Sequence, residues 1–310
     1  MKFFNIILIF ILYIFSYPVS SANKFNLIPI EVSKNVYVFL GDIDDVNTNN
    51  GGAISNTGFI IGDNSILVID AGPSYLYASN VIEIINSYSN LPIKYLVVTH
   101  HHADHSFGIS RYLEINTEII MAEAEAKRYL KYGNRSLRQL HNLIGEEWLL
   151  NTEINTFNNL GKKYPINLDL GNRNITIELF EEGHSDGDLI IKDISSNILF
   201  VGDLVFNQRA PTSPHANIYN WKNYLDEIMN KDWDYLIPGH GNIIKNKEDI
   251  LQTKKWINFI DKTAKQASKN GVSALEIFNK GLPQIIKKYK LGKETWYRDL
   301  PILINKYEFD

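Results

Sequence analysis

Short apolar runs alternate along this chain with segments whose apolar residues recur at helical spacing, and most runs are closed by Gly, Asn or Asp. Asn35 to Leu40, Gly58 to Ile61 and Ile66 to Asp70 are β-rich and separated by turn signals, which predicts a meander. Between the first two, Gly41 to Gly52 is almost free of apolar residues and predicts a long mobile hairpin loop. Asp42, Asp44 and Asp45 in it lack EF-hand-like spacing, so they read as solvating side chains before cation ligands. Ser74 to Tyr88, bounded by Pro73 and Pro92, predicts an amphipathic helix over the sheet. Tyr95-Leu96-Val97-Val98 reads as a buried strand, followed by a short helix near Phe107 to Leu113, a strand from Glu118 to Ala122 and a helix from Glu123 to Tyr132. Gly133 to Asn159 is polar and partly helical, with Trp148-Leu149-Leu150 as its clear apolar cluster, and the pattern gives it no place in the architecture. The second half repeats the design, with strands at Ile175 to Phe180, Leu189 to Ile191, Ile198 to Val201 and Tyr235 to Ile237, and a helix near Trp221 to Met229. From Lys247 onward the chain is helical and Lys-rich, with Trp256, Phe259 and Ile260 as a packing face.

The strand ends carry the chemistry. Thr99-His100-His101-His102-Ala103-Asp104-His105 follows the Tyr95 run, and five of its seven positions are His or Asp in a chain with 8 His. Alternation in an extended segment sends His100 and His102 to one side, while Asp104 and His105 can turn toward a second point. Further on, His184, Asp203 and His240 each follow an apolar strand and are flanked by glycine, which frees the backbone to turn and lets an ion approach. Together these make five His and two Asp, enough for two cations with a carboxylate between them. A nitrogen and carboxylate set without thiolate suits Zn²⁺, with Fe and Mn as the other candidates.

Composition changes the picture mainly at the N-terminus. At 310 residues, 45% hydrophobic and 21% charged, the chain is an ordinary globular protein long enough for a large core. Lys2, the apolar run Ile6 to Phe15 and the small residues up to Ala22 predict a secretory signal over residues 1–22, cleaved after Ala22. The run is shorter than the ~20 apolar residues that span a bilayer, so no stable membrane anchor is expected after cleavage. Removing it takes away Lys2 and no acid, so the formal net charge of −4 becomes −5, which offers no electrostatic footprint for nucleic acid. With no Cys, disulfides and an N-terminal lipid-bearing cysteine are excluded. The expectation is a soluble periplasmic or secreted protein, residues 23–310 forming one domain with a helical C-terminal extension from about 247.

Val68-Ile69-Asp70-Ala71-Gly72, the Thr99 to His105 loop, Gly183-His184-Ser185, Val201-Gly202-Asp203 and Pro238-Gly239-His240-Gly241 together resemble the metallo-β-lactamase fold superfamily of metallohydrolases. The resemblance spans about Val36 to Gly241. It implies an α/β fold, a four-layer αββα sandwich with its site at one edge of two sheets. It further implies that His100, His102 and His184 hold a first metal, that Asp104, His105 and His240 hold a second, and that Asp203 bridges them, with Asp70 and Thr99 orienting ligands. Water activated between two cations would be the nucleophile, with Asp104 as the catalytic residue that orients it and carries its proton.

The superfamily holds several activities, so the fold alone names no substrate. β-Lactamases of this family generally carry Cys or Ser where Asp203 stands. Glyoxalase II shares the Asp, yet it is expected in the cytosol, and its glycine-cysteine-rich stretch after that Asp is not found here. Gly183 to Leu189 together with Gly202 to Pro211 is similar to exported metallohydrolases associated with sulfur-oxidation and quinoprotein dehydrogenase systems. The expectation is therefore an exported two-zinc hydrolase of an ester, thioester, lactone or related carbonyl in a small-molecule substrate, linked to a periplasmic dehydrogenase system. Two alternatives stay open: a β-lactamase, and a non-catalytic metal-loaded accessory protein. Arg209 and His215, in the loop after Asp203, are candidates for contact with an anionic substrate, or simply solvated loop residues.

Overall fold

The computed structural model describes residues 24–158 and 162–308. The export signal expected over residues 1–22, with its cleavage point after Ala22, lies outside them. The first sheet runs in chain order: β1 (Ile30–Ser33), β2 (Val36–Phe39), β3 (Thr57–Ile61), β4 (Ile66–Ile69), β5 (Ile93–Val97) and β6 (Glu118–Ile120). β1 to β4 pair antiparallel. β5 then joins β4 in parallel through α1 (Tyr75–Tyr88), and β6 joins β5 through α2 (Ala103–Ser106) and α3 (Ile109–Glu114), because a parallel pair needs a crossover. After α4 (Glu123–Ile144), the second sheet is built from β7 (Ile166–Asp169), β8 (Asn174–Glu181), β9 (Gly187–Asp193), β10 (Ile198–Phe206) and β11 (Tyr235–His240), in the spatial order β11-β10-β9-β8-β7. β11 lies parallel to β10, and α5 (Ile218–Asn230) makes that crossover. α6 (Ile250–Lys269), α7 (Ala274–Asn279) and α8 (Gly292–Glu308) complete the chain.

Three apolar cores fix the layering. Every residue of β4 is buried, so its alternation sorts two apolar faces: Leu67 and Ile69 point between the sheets, Ile66 and Val68 lie under the helices. In β10, Ile198 and Phe200 meet the first sheet while Leu199 and Val201 face α5, α6 and α8. Trp221, Trp256 and Trp296 from those three helices are fully buried there. The result is a four-layer αββα sandwich, with α1, α3 and α4 outside one sheet and α5, α6 and α8 outside the other. Among the described residues, no helix is long and apolar enough to cross a membrane.

Several boundaries differ from the pattern. β1 and β7 were not predicted; both are edge strands with partly exposed residues, where alternation is weakest. The helix expected to end at Tyr132 continues to Ile144, since only a narrow face, including Tyr129, Leu140 and Ile144, is buried. Beyond it, Trp148 packs against the β2–β3 loop, donating its indole N–H to the Thr48 carbonyl at 3.0 Å, and lies against Phe25. That loop is laced by its own amides: Asn47 and Asn50 side chains bond the backbone of Asn49, Asn50, Asn47 and Gly52. Asp42 accepts from the Asp44 N–H and the Asn50 amide, and Asp44 pairs with Lys290.

Candidate metal centre

All seven residues singled out as ligands meet at one edge of the two sheets. Asp70 directly follows β4 and the Thr99 to His105 segment follows β5, while His184 sits in the β8–β9 turn. Asp203 and His240 lie inside β10 and at the end of β11, rather than beyond their strands as expected. Pairing between β10 and β11 slips on either side of Gly202, which has φ +49°, and this irregularity turns Asp203 toward the site. Across the pair, Gly239 lets the carboxylate lie on bare backbone, since any Cβ there would overlap Asp203 Oδ1.

The ligand atoms form two groups sharing Asp203. In the first, His100, His102, His184 and Asp203 each bring one donor atom within 4.8 Å of the others. Asp203 Oδ2 is 3.7 Å from His100 Nε2 and 3.6 Å from His184 Nε2. In the second, Asp203 Oδ1 is 3.2 Å from the Nε2 atoms of both His105 and His240, and Asp104 Oδ2 is 3.5 and 3.4 Å from the same two nitrogens. One carboxylate thus offers a different oxygen to each group.

The nitrogens facing away from the site are held in turn. His105 Nδ1 donates to Asp70 Oδ2 at 2.8 Å, and Asp70 also accepts from the Thr99 N–H at 2.7 Å and hydroxyl at 3.0 Å. Asp70 does this from a left-handed backbone with φ +60°, a conformation a short acidic side chain tolerates at modest cost. The Thr99 hydroxyl oxygen lies 3.1 Å from His100 Nδ1. His240 Nδ1 donates to the Ile54 carbonyl at 2.8 Å. His184 Nδ1 faces Asp188 Oδ1 at 3.5 Å, and Asp188 is fixed by the N–H and hydroxyl of Ser185. Each of these leaves Nε2 as the inward atom. His102 is reversed: its Nδ1 points inward, 2.9 Å from His100 Nε2, and its Nε2 lies 3.2 Å from His215 Nδ1.

The electrostatics follow from crowding five imidazoles and three carboxylates in a largely buried pocket. Burial, with neighbouring imidazoles, holds His100 and His102 well below the ordinary histidine value. Burial also opposes protonation of His105, but Asp104, Asp70 and Asp203 overcome it and raise that ring well above the ordinary value. Burial would raise Asp203, yet His240 and His105 hold its carboxyl well below the usual range. These residues suit divalent metal ions. His105 Nε2 and Asp203 Oδ1 are buried without a hydrogen bond, and the inward nitrogens of His100 and His102 would set two lone pairs against each other unless a cation or proton stood between them. Imidazole and carboxylate donors, with outer nitrogens bonded to fixed acceptors, are the ligand and supporting shell of zinc-type centres.

Other residues fall outside the two groups. His101 turns away, its Nδ1 2.5 Å from Glu125 of α4. Arg209 is not on a solvated loop: it is 5% exposed, with Nη1 3.3 Å from both the Asp44 carbonyl and His240 Nδ1. Asp188 and Asn56 were missed by sequence reasoning. Asn56 accepts from the Gly41 N–H and donates to the Pro238 and Gly241 carbonyls at 2.8 Å each, bracing the turn that carries His240. Asp188 had a signal, an acid four residues after His184 at the start of β9; the Ile54 carbonyl had none, because any residue supplies one.

A buried His and Asp centre at the edge of an αββα sandwich defines a metallohydrolase of the two-sheet type. The chain belongs to the metallo-beta-lactamase superfamily, whose family model matches residues 50–240. Within that superfamily it is similar to the acyl-coenzyme A thioesterase MBLAC2 of Gallus gallus, 26% identical over 216 residues, 61% of this chain and 73% of that protein. The Homo sapiens acyl-coenzyme A thioesterase MBLAC2 is 25% identical over 217 residues, with the same coverage of 61% and 73%. Among solved structures, a metallo-beta-lactamase from Pontibacter korlensis superposes with a TM-score of 0.58 at 17% identity, covering 75% of this chain and 99% of that one. One from Hirschia baltica gives 0.56 at 18% identity, covering 74% and 97%. These superpositions show the fold, and the superfamily with its thioesterase relatives makes the chain a hydrolase.

Proposed function

We propose that the protein is an exported dinuclear zinc hydrolase that cleaves a thioester, or a closely related ester or lactone, in a small-molecule substrate. The observation that carries this reading is Asp203, with Oδ2 turned to one group of imidazoles and Oδ1 to the other. Thioesters lead the substrate class because the curated relatives are named as thioesterases, and an Asp at position 203 sets the chain apart from β-lactamases of this family.

Two divalent cations in the site would supply Lewis acidity, lowering the pKa of a water toward ~7 and polarising a carbonyl oxygen. The residues do the rest. Asp203 fixes the separation of the two groups and neutralises part of the charge gathered there. Asp104, with a side chain 16% exposed, has Oδ2 turned to His105 and His240, which leaves Oδ1 to accept a hydrogen bond from the attacking water. Asp104 then takes the water's proton and returns it to the leaving thiol or alcohol. No covalent acyl-enzyme is required, and the chain has no Cys to form one.

The test is elemental analysis of the purified protein after mild dialysis, with turnover of a panel of acyl-CoA thioesters, lactones and β-lactams. Close to two zinc ions per chain and preferred cleavage of thioesters or lactones are expected; one firmly bound ion, or β-lactams as the preferred substrates, would overturn the reading. Export is supported by the Lys2, Ile6 to Phe15 and Ala22 pattern. N-terminal sequencing of the secreted form should begin near Asn23, and an intact Met1 would refute export.

A further inference from the structure

A second histidine cluster lies just outside the first ligand group. His101, His102 and His215 each bring one ring nitrogen within 4.8 Å of the others. Two of these atoms, His102 Nε2 and His215 Nδ1, are 3.2 Å apart. Tetrahedral coordination at about 2.0–2.1 Å places ligand nitrogens roughly 3.3 Å from one another, so this pair already has the required spacing. The same distance suits an N–H···N hydrogen bond, which makes the third histidine decisive.

His101 is oriented as metal-binding histidines are. Its Nδ1 meets Glu125 Oε2 at 2.5 Å, and the same oxygen accepts the His101 backbone N–H at 2.8 Å. Glu125 is fully buried, and its Oε1 has no hydrogen-bond partner. A carboxylate that fixes one nitrogen of an imidazole fixes its tautomer, makes the ring a stronger donor and leaves the lone pair on the other nitrogen. His215 stands at the exposed end of the cluster, in a loop anchored where Ser213 donates its N–H and hydroxyl to Asp299 Oδ2 at 2.7 and 3.0 Å.

We infer that His101, the outward Nε2 of His102 and His215 form an outer metal site, taking Zn²⁺ or another imidazole-preferring divalent ion such as Cu²⁺ or Ni²⁺. His102 would then face a cation on each side, Nδ1 inward and Nε2 outward, its Nε2 proton passing to solvent when the outer ion binds. This sharing rests on the inner reading only in that His102 belongs to both groups. Repulsion through one ring from the inner charge makes the outer ion the weaker by roughly tenfold or more.

The experiment is calorimetric titration of Zn²⁺ into the metal-loaded protein and into His215→Ala, His101→Phe and Glu125→Gln variants, with total metal read by elemental analysis. The wild type should take up one further, weaker equivalent. His215→Ala and His101→Phe should lose that equivalent while keeping the inner metal content, and Glu125→Gln should bind it about 10–100-fold more weakly. Cu²⁺ added to the loaded wild type should give an electron paramagnetic resonance spectrum split by imidazole nitrogens, absent from His215→Ala, an exposed substitution that leaves the core intact. No further equivalent in the wild type, or one retained in His215→Ala, overturns the outer site. An inner content below two ions counts against the dinuclear reading alone, so the two failures are distinguishable.

Discussion

At the scale of single residues, Asp203 carries the most testable claim. Its two oxygens serve different groups of imidazoles, which a serine cannot do. Asp203→Ser should weaken binding of the second ion and lower turnover of thioesters or lactones by on the order of 10–100-fold or more, measured by metal titration and steady-state kinetics. The imidazoles make a second claim. In the metal-free protein, His100 and His102 are held well below the ordinary value by burial, so below about pH 6.5 the unfolded chain takes protons they refuse, and their contribution to stability falls with pH. His105 and His184, raised by their carboxylates against burial, act oppositely: their contribution is complete below about pH 6.5 and lost as pH rises through the raised value. Bound cations end this opposition, because ligating imidazoles must be neutral. Between about pH 7.5 and 5.5 the melting temperature of the loaded protein should therefore fall more than that of the metal-free protein, as calorimetry at both pH values will show.

At the scale of elements, the candidate ligands lie at or just past strand ends, Asp203 inside β10 being the exception, and that is why so much of the site was legible in the sequence. An apolar run closed by Gly-His or Gly-Asp marks both a buried strand and the place where its backbone turns outward; His184, Asp203 and His240 were found in this way. Less legible were features without a residue signature: the Ile54 carbonyl behind His240, the irregularity at Gly202, and β1 and β7 at the sheet edges. Glu125 was hidden differently. It reads as a first-turn acid on an amphipathic helix, and only the packing of α4 brings it under His101. The β10–β11 pair gives the prediction at this scale. A methyl group at position 239 would intrude on the Asp203 carboxylate, so Gly239→Ala should displace it and cost about 10²-fold in turnover. The far-ultraviolet circular dichroism of the variant should stay that of the wild type.

At the scale of the whole molecule, the helices after β11 do more than cover the second sheet. α8 supplies Asp299, which holds Ser213, and the chain just before α8 pairs with the loop, Ala210 N–H to Lys290 carbonyl at 2.9 Å and Lys290 N–H to Gln208 carbonyl at 3.0 Å. The loop bearing Arg209 and His215 is thus tied to the last layer. Asp299→Ala should slow turnover about tenfold or more while leaving inner metal content unchanged, a split read by kinetics beside elemental analysis. The division of ligands between the sheets has a mechanical meaning as well. His100, His102, Asp104 and His105 hang from the first sheet and His184, Asp203 and His240 from the second, so an ion held by either group would cross-link the halves, joining residues more than 80 positions apart in the chain. Such a clasp would resist the parting of the sheets and slow unfolding as a long-loop disulfide does, in a chain that has no cysteine with which to make one.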